Sequence, residues 1–408
     1  SERPQRSPRS APRMPRRTKY VALLERLAPA VRELFGRAPV DVVDVESESL
    51  WGLGQRALRV RRLANADLLE LLRMPPMCIG DVLRERFTSD RLSAALALPA
   101  LAGTFTGPWS PGNGLDLLRR ESLLGPGVVG GGPMLVAALA KAARAAGVHI
   151  RTSAAVSRLL VGREGIEGVV LAGGEEIRAR IVAASCHPWR TFCELTPPGL
   201  LEHRFEHRIR TFRSRGSVAQ VLLALDRAPR LHAGEPAEFV RVAGHLDEIE
   251  RAFDAIKYGE VPQSPVLDVH VPTVAQPELA PRGHAVVSAL VHYVPYARKG
   301  GWDDGARQQL GDRVVEILGR HDAGLPGSVV GRAVLVPPDL EQRYGLHGGH
   351  LHHGEHALDQ LLVRPTPECA CYRTPIAGLW LCGSGSHPGG GLTCAPGELA
   401  ARAILAGK

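Results

Sequence analysis

The sequence contains no apolar run long enough to cross a bilayer, and it has few cysteines. A membrane helix needs about 18 or more consecutive apolar residues, and stretches such as SAALALPALAG, residues 93–103, are shorter. The seven cysteines are odd in number and lack the spacing of a disulfide framework, which is typical of a reducing compartment. We therefore expect no transmembrane segment and a cytoplasmic protein.

Acidic residues are scarce only at the start of the chain. Residues 1–20 hold seven of the 50 basic residues and one of the 42 acidic ones, so the rest has 43 against 41, or +2 of the net +8. The nearly neutral remainder argues against a nucleic-acid partner. Residues 1–17, rich in Pro, Ser and Arg, are expected to form a disordered basic tail. A transit peptide shares this composition, which leaves a mitochondrial location as the alternative.

The chain of 408 residues is too long for one small core, so we expect two interleaved lobes. Apolar spacing of three to four predicts helices across residues 20–120 and again over 133–146. Three short β-like runs in 154–185, separated by turn residues, predict a three-stranded meander. The strands of a second sheet follow, together with two helices. The chain ends in a strand, a glycine loop and a helix. The pattern predicts an α/β (α+β) fold.

The segment Gly125–Gly130, GPGVVG, matches the spacing G-x-G-x-x-G. A dinucleotide fingerprint also needs an apolar strand before it and an acidic residue about 20 positions later. The preceding LLRRESLL is charged, and Arg151 occupies the later position. Although an arginine could accept the 2′-phosphate of NADP, we do not expect an autonomous nucleotide site here.

Two clusters contain metal-ligand residue types. Cys369 and Cys371 form a C-x-C without a second cysteine pair nearby, and we interpret them as buried or incidental thiols. The glycine-broken stretch HGGHLHHGEH contains five histidines, which zinc or iron could use. Metal sites usually take ligands from a defined helix or several segments, so a pocket-lining or surface loop is the preferred interpretation, and we predict no metal.

The terminal segment LWLCGSGSHPGGGLTCAPGELAARAILAG, residues 379–407, is the most specific pattern. An apolar strand ends at Gly383, and five glycines surround a His-Pro pair before an alanine-rich helix begins. Glycine allows another group to approach the backbone closely, and a helix N-terminus favours negative charge. A structural turn would not need five glycines, so we expect a ligand here.

This segment resembles the phytoene-desaturase-related flavoproteins, relatives of the FAD-containing amine oxidases. Members carry YRTPIxGLYLCGxGTHPGGGVTGAPGxxAARxIL, and this chain has YRTPIAGLWLCGSGSHPGGGLTCAPGELAARAIL, residues 372–405. GTFTGPWSPG, KYGEVPQSP, GGWDD and HHGEHALDQLLVRPTP are further matches. The resemblance covers about residues 20–408, and it implies an FAD-dependent oxidoreductase.

The family opens with a strand–GxGxxG–helix unit that binds the ADP half of FAD, and no such unit precedes Tyr20 in this sequence. The resemblance thus implies an incomplete Rossmann-like FAD lobe interleaved with a helical plus mixed-sheet substrate lobe. Its expected parts follow the tail of residues 1–17: 18–120 as the helical part of the substrate lobe, 121–190 as the FAD-lobe helix and meander, 191–370 as the substrate lobe, and 371–408 as the FAD-lobe strand, loop and helix.

The resemblance also implies which residues contact FAD. Gly383, Ser384 and Gly385 would pass along the ribityl-pyrophosphate, and the backbone of residues 391–395 along the isoalloxazine. Val156 resembles the residue that contacts the adenine side. The full expected set is Val156, Gly383, Ser384, Gly385, Gly389, Gly390, Gly391, Leu392, Thr393 and Ala395. His387 is a weak catalytic candidate, which would tune the flavin or move a proton, or else brace the loop.

By family, the activity is hydride transfer from a C–H bond of a small apolar or amine substrate to flavin. Since the ADP-binding half usually anchors the cofactor, we expect this chain alone to bind FAD weakly or not at all. A second polypeptide could supply that half, in which case the chain is one part of a split enzyme. A flavin-free binding or regulatory protein is the alternative, and homo-oligomerisation stays open.

Overall fold

The structure is a computed structural model that describes residues 15–39, 54, 58, 61, 63–123, 131–361 and 363–407, with the backbone alone for 15–18. Its α-helices are α1 Pro15–Phe35, α2 Asn65–Arg73, α3 Ile79–Arg84, α4 Asp90–Leu101, α5 Gly114–Leu123, α6 Gly131–Ala145, α7 His203–Thr211, α8 Leu246–Lys257, α9 Asp304–Gly319, α10 Pro337–Tyr344, α11 Leu358–Leu361 and α12 Ala395–Leu405. A π-helical segment spans Arg190–Leu195.

The strands form three sheets within the described residues. They are β1 Val156–Gly162, β2 Gly165–Leu171, β3 Glu176–Arg178, β4 Val182–Ala184, β5 Val218–Leu225, β6 Phe239–Val242, β7 Leu267–His270, β8 Ala285–His292, β9 Val329–Leu335 and β10 Leu379–Leu381. The sheet orders are β1-β2-β3, β10-β4 and β6-β7-β8-β5-β9. The expected mixture of helices and sheets is confirmed.

A mainly helical core joins the first third of the chain to a later helix. Leu27, Leu98 and Leu117, from α1, α4 and α5, are fully or almost fully buried and lie in one cluster with Ile249 of α8. Ser89 caps α4 because its Oγ accepts a hydrogen bond of 3.4 Å from the amide of Leu92. Packing of α8 against this cluster brings the segment after residue 240 to the first helices.

The five-stranded sheet has one face covered by α9. Inward residues alternate along β8, where Val287, Ala289 and Val291 are fully buried against α9 residues such as Val314. All four ladders are antiparallel, whereas a mixed sheet was expected. Strand direction depends on how the connections run, and alternation along a strand carries no information about direction. The edge strands β6 and β9 were not among the strands expected.

The predicted meander is confirmed, but the last of its three β-like runs forms two strands, β3 and β4, which belong to different sheets. Strands β1, β2 and β3 pair antiparallel, and the residues after β3 leave that sheet to form β4. Strand β4 pairs in parallel with β10, with Val182 opposite Leu379 and Ala184 opposite Leu381. The C-terminal strand therefore returns to a strand that lies about 200 residues earlier, and the two segments that follow these strands lie side by side.

The described residues also bear on the chain's first segments. Helix α1 begins at Pro15, inside the range 1–17 that was expected to be a tail, and proline suits a first helical turn because its missing N–H is not needed there. Residues 1–14 and the segment Gly125–Gly130 lie outside the described residues. In the described part of the chain, no helix combines the length and the apolarity that crossing a bilayer requires.

Candidate functional site

The glycine loop starts at the carboxyl ends of two parallel strands. The amide of Cys382 donates a hydrogen bond of 2.9 Å to the carbonyl of Ala184, which continues the β4–β10 ladder by one residue. A Cβ on Gly383 would lie 2.1 Å from the carbonyl oxygen of Ser185, so no other residue fits. In α/β proteins, ligands bind outside the carboxyl ends of parallel strands, and the loop occupies that position.

The middle of the loop packs against the protein itself. A Cβ on Gly385 would lie 2.4 Å from Cδ of Pro188, and one on Gly390 would lie 2.6 Å from Cβ of His352. Gly389 has a φ of 94°, which also favours glycine. These three glycines are required by the tight packing of the loop, so the expectation that a ligand alone explains the glycines is only part of the account.

The outer part of the loop is accessible. Gly391, Leu392 and Cys394 are exposed, and Thr393 is half-buried before α12 begins at Ala395. Gly383 and Ser384 are half-buried. The expected cofactor contacts therefore divide into an accessible set and the buried set Gly385, Gly389 and Gly390. Val156 begins β1 and packs against the apolar cluster that contains Leu379, separate from the loop in sequence.

His387 is buried between the loop and the first helix. Its ring stacks on that of Phe35, with centroids 6.0 Å apart and planes 13° apart. Tyr372 Oη donates a hydrogen bond of 3.2 Å to the His387 carbonyl, and burial lowers the pKa of the imidazole to about 4. His387 is not among the residues that line the two cavities described below, so its geometry favours bracing of the loop.

A buried arginine ties the loop to the histidine-rich segment. Arg364 has no exposed surface, and its Nη2 donates to the carbonyls of His352 and Gly354 at 2.9 and 2.8 Å. Its Nε donates to the carbonyl of Ser384 at 3.3 Å. Burial lowers the pKa of Arg364 to about 9. Backbone carbonyl oxygens thus stabilise the guanidinium charge. The same hydrogen bonds connect the glycine loop to the histidine-rich segment.

Two neighbouring cavities share a wall near the loop, and the smaller of them borders the loop itself. The smaller, about 120 Å³, is lined by residues that include Arg119, His352 and Gly391. The larger, about 640 Å³, is lined by Phe105, Pro111, Leu358 and several polar residues. Thr104, Asp116 and His356 line both cavities. A group at this shared wall therefore faces the loop on one side and the larger space on the other.

Asp116 and Arg119 lie one turn apart on α5. Asp116 belongs to the shared wall together with His356, and Arg119 lines the small cavity. Arg119 Nε lies 3.8 Å from Oδ1 of Asp116, and its Nη2 lies 2.6 Å from Nδ1 of His356. Arg119 Nη1 also donates to the carbonyl of Gly390 at 3.2 Å. Burial raises the pKa of Asp116 to about 7, and burial lowers the pKa of Arg119.

Sequence reasoning did not find Asp116, Arg119 or a role for His356 at the loop. The only local signal is a pair of opposite charges at i and i+3 inside the apolar run LDLLRR, a spacing that also occurs on ordinary exposed helices. Burial of the helix face that carries the pair distinguishes Asp116 and Arg119 from such pairs on exposed helices. The fold decides which face of the helix is buried.

The histidine-rich segment is mostly internal. His350 and His356 are buried, and burial lowers the pKa of both well below the usual histidine range. Burial likewise lowers the pKa of His352 to about 3. In the part of the chain that the structure describes, no group of His, Cys, Asp or Glu side chains has the arrangement of a metal site. The pocket-lining interpretation holds for His352 and His356.

The fold is similar to that of a solved amine oxidase. The structure is similar to that of cyclohexylamine oxidase from Brevibacterium oxydans, with a TM-score of 0.51 over 98% of this chain and 77% of that one, at 12% identity. A likeness at this identity establishes the architecture of the chain.

Sequence similarity then identifies the family. The chain is 36% identical over 415 residues to rat pyridine nucleotide-disulfide oxidoreductase domain-containing protein 2, across 95% of this chain and 71% of that protein. It belongs to that family of oxidoreductases. One of the subunits of limonene dehydrogenase from Castellaniella defragrans is 29% identical over 68% of this chain and 54% of its own length. Phytoene desaturase from Cereibacter sphaeroides is 23% identical over 68% and 52%. These relatives confirm the desaturase-related family expected from the terminal motif. No protein-family model matches the chain.

Proposed function

We propose that this chain forms the substrate lobe and the flavin-facing part of an FAD-dependent oxidoreductase, which takes hydride from a C–H bond of an apolar or amine substrate. The observation that carries the proposal is the position of the glycine loop. It follows β10 at the carboxyl end of the β4–β10 pair and borders a small cavity that shares a wall with a larger one. A cofactor at the loop and a substrate in the larger cavity would then be adjacent.

The residues present fit a flavin along the outer loop. Gly391 and Leu392 are exposed and have no bulky cover, and the N-terminus of α12 follows them with its partial positive charge. Bound FAD would supply the hydride acceptor. Gly383, Ser384, Gly391, Leu392, Thr393 and Ala395 would line its path, and the buried Gly385, Gly389 and Gly390 would set the loop's shape. Val156 stays the proposed contact on the adenine side.

The ADP half of FAD would need a further unit, and the structure offers a surface for it. No residue of α6 is buried, and Met134, Val136 and Leu139 are at least half exposed. Ile181, beside β4, is 55% exposed. Parallel strands are normally covered on both faces. A strand–GxGxxG–helix unit, from residues outside this sequence or from another polypeptide, would extend the β4–β10 sheet and cover α6.

A multi-chain arrangement has one supporting likeness among the relatives. The similar protein from Castellaniella defragrans is named as one of the subunits of limonene dehydrogenase. For this chain we propose that activity requires a dinucleotide-binding unit. A cytoplasmic or mitochondrial location is compatible with either source of the unit.

Flavin titration tests the proposal. The purified chain alone should quench FAD fluorescence weakly or not at all, and a fusion that adds a designed strand–GxGxxG–helix unit should retain yellow flavin through gel filtration. A colourless fusion that is folded by circular dichroism would contradict the proposed cofactor site. Stoichiometric flavin on the chain alone would contradict the need for the added unit.

A further inference from the structure

The larger cavity is lined by acidic side chains and by apolar ones. Phe105, Pro111 and Leu358 are among its apolar lining residues. Its ionisable lining residues are Asp116, Glu355, His356 and Asp359, and neither lysine nor arginine is among the described lining residues. Burial lowers the pKa of His356, so the charged lining side chains are carboxylates, of which Glu355 and Asp359 are paired with Arg215 and Arg213. A cavity of this composition suits an apolar body with a positive or hydrogen-donating head.

Most polar groups of this cavity already have partners. Glu355 accepts from Nε and Nη2 of Arg215 at 2.6 and 2.8 Å. Asp359 accepts from Nη2 of Arg213 at 2.6 Å and is mostly exposed. Asn113 accepts from the amide of Ile79 at 2.7 Å. Glu355 and Asn113 are thus held in the cavity wall by their own hydrogen bonds, and the remaining acceptor sites of Asp359 are exposed to solvent.

Asp116 differs from them. It is only 5% exposed, and its Oδ1 has no hydrogen-bond partner in the described structure. Arg119 Nε lies 3.8 Å from this oxygen, beyond hydrogen-bond distance, and itself has no hydrogen-bond partner. The Nη donors of Arg119 serve His356 and the Gly390 carbonyl, and Arg364 donates to four backbone carbonyls. An unpaired buried carboxylate oxygen is costly, and a donor from a ligand in the cavity would remove that cost.

We propose that the larger cavity binds an amine with an apolar body, and that Asp116 anchors the amine nitrogen. This rests on the proposed function in so far as the larger cavity is the substrate cavity. Because Asp116 also borders the small cavity beside Gly391, an anchored nitrogen would hold the neighbouring carbon close to the wall that the two cavities share. Asp116 would then select amines over hydrocarbons and alcohols of the same shape.

Ligand binding to the full chain tests this without flavin. Benzylamine and benzyl alcohol share one apolar body. Calorimetry compares their binding affinities at about pH 8, a pH at which the amine is a cation and Asp116 is ionised. We expect benzylamine to bind about tenfold more tightly, a difference of about 1.4 kcal/mol for one charge-assisted hydrogen bond. Asp116→Asn should remove this preference and keep the affinity for the alcohol, and the matched surface variant Asp312→Asn should keep the preference.

The pH dependence of wild-type binding gives a second measurement that needs no variant. The charged and titratable groups near Asp116 are Arg119 on its own helix and three residues of the segment 355–364, namely Glu355, His356 and Arg364. Because the pKa of Asp116 is raised to about 7, protonation below that pH removes the anchoring charge. The preference for benzylamine should therefore decrease from about pH 8 to about pH 6.

Three outcomes would overturn the proposal: equal affinity for the two ligands, no measurable benzylamine binding, or a preference that survives Asp116→Asn. Each of these leaves the flavin titration unaffected, since that experiment needs no substrate. A chain that binds flavin at the loop but shows no amine preference would keep the proposed function and disprove the role of Asp116.

Discussion

Arg364 Nη1 donates a hydrogen bond of 2.9 Å to the carbonyl oxygen of Glu355, and the whole arginine side chain is buried. The same guanidinium serves three other carbonyls, on the histidine-rich segment and on the glycine loop. One side chain therefore connects two segments that both border the proposed site, and its planar fork of donors is what allows this.

We predict that Arg364→Lys lowers the free energy of unfolding by about 3 kcal/mol or more, because one ammonium cannot serve four separated carbonyls and leaves buried acceptors unpaired. Urea denaturation of the full chain measures it. Arg402→Lys, at an exposed ion pair with Glu398 on α12, is the matched control and should change stability by less than about 0.5 kcal/mol. Equal midpoints for both variants would show that the Arg364 contacts contribute nothing.

Buried histidines should make the protein sensitive to mild acid. Burial lowers the pKa of His187 to about 2, of His352 to about 3, and of His353 and His387 to about 4. The unfolded chain protonates these groups near pH 6.5, so it binds more protons than the folded protein as pH falls from about 6.5 toward 4. Stability is fully present above that window, and each such histidine removes about 1.4 kcal/mol per pH unit within it.

His187→Asn tests this dependence at one residue. His187 Nδ1 accepts from the amide of Trp189 at 3.0 Å, and the asparagine oxygen can replace that acceptor. Between about pH 6.5 and 5, the free energy of unfolding of the variant should fall less steeply than that of the wild type. Urea denaturation at several pH values measures both slopes. His321→Gln, at an exposed position, should keep the wild-type slope. Identical slopes for all three proteins would contradict the assignment of His187.

Gly390→Ala should destabilise the fold, because the loop is tightly packed at this residue. Gly390 is buried, and a Cβ would lie 2.6 Å from both Cβ and Nδ1 of His352. Overpacking of this kind costs about 1–3 kcal/mol. Gly132→Ala, where no atom lies within 4 Å of the added Cβ, should leave the melting temperature unchanged or slightly higher. The idea fails if both variants melt alike.

Leu392→Asp should separate cofactor binding from folding. Leu392 is 72% exposed, so the chain should unfold at the wild-type urea concentration. In the fusion carrying the dinucleotide-binding unit, a carboxylate beside the proposed flavin path should weaken FAD binding by about tenfold or more, because like charges repel in a partly desolvated site. Leu405→Asp, at the far end of α12 and 88% exposed, should bind FAD as the wild type does. Unchanged affinity in Leu392→Asp would place the flavin elsewhere.

Local sequence patterns predicted most elements because their causes are local. The meander of residues 154–185 followed from turn residues between apolar runs, and α8 and α9 from apolar residues at three-to-four spacing. Strands β6 and β9 were missed because both are edge strands without a buried residue, so no clear buried face marks either strand in the sequence.

The candidate site was only half predictable. The terminal motif identified the loop, the helix after it and the family. It did not show that Gly390 is also constrained by His352, which lies 2.6 Å from the position of an added Cβ. His352 is 38 positions earlier in the chain, and no local pattern reports a contact at that separation.

The amino-acid sequence by itself determined the strand–loop–helix at the C-terminus, because glycine, proline and alanine act through local backbone conformation. Only the tertiary structure decided that Asp116 stands between two cavities and that Arg364 holds the loop to the histidine segment. Both results depend on desolvation: a carboxylate or guanidinium acquires an altered pKa and a demand for partners only when distant segments exclude water from it. That exclusion is a property of the packed fold, which brings residues 116, 356, 364 and 390 together.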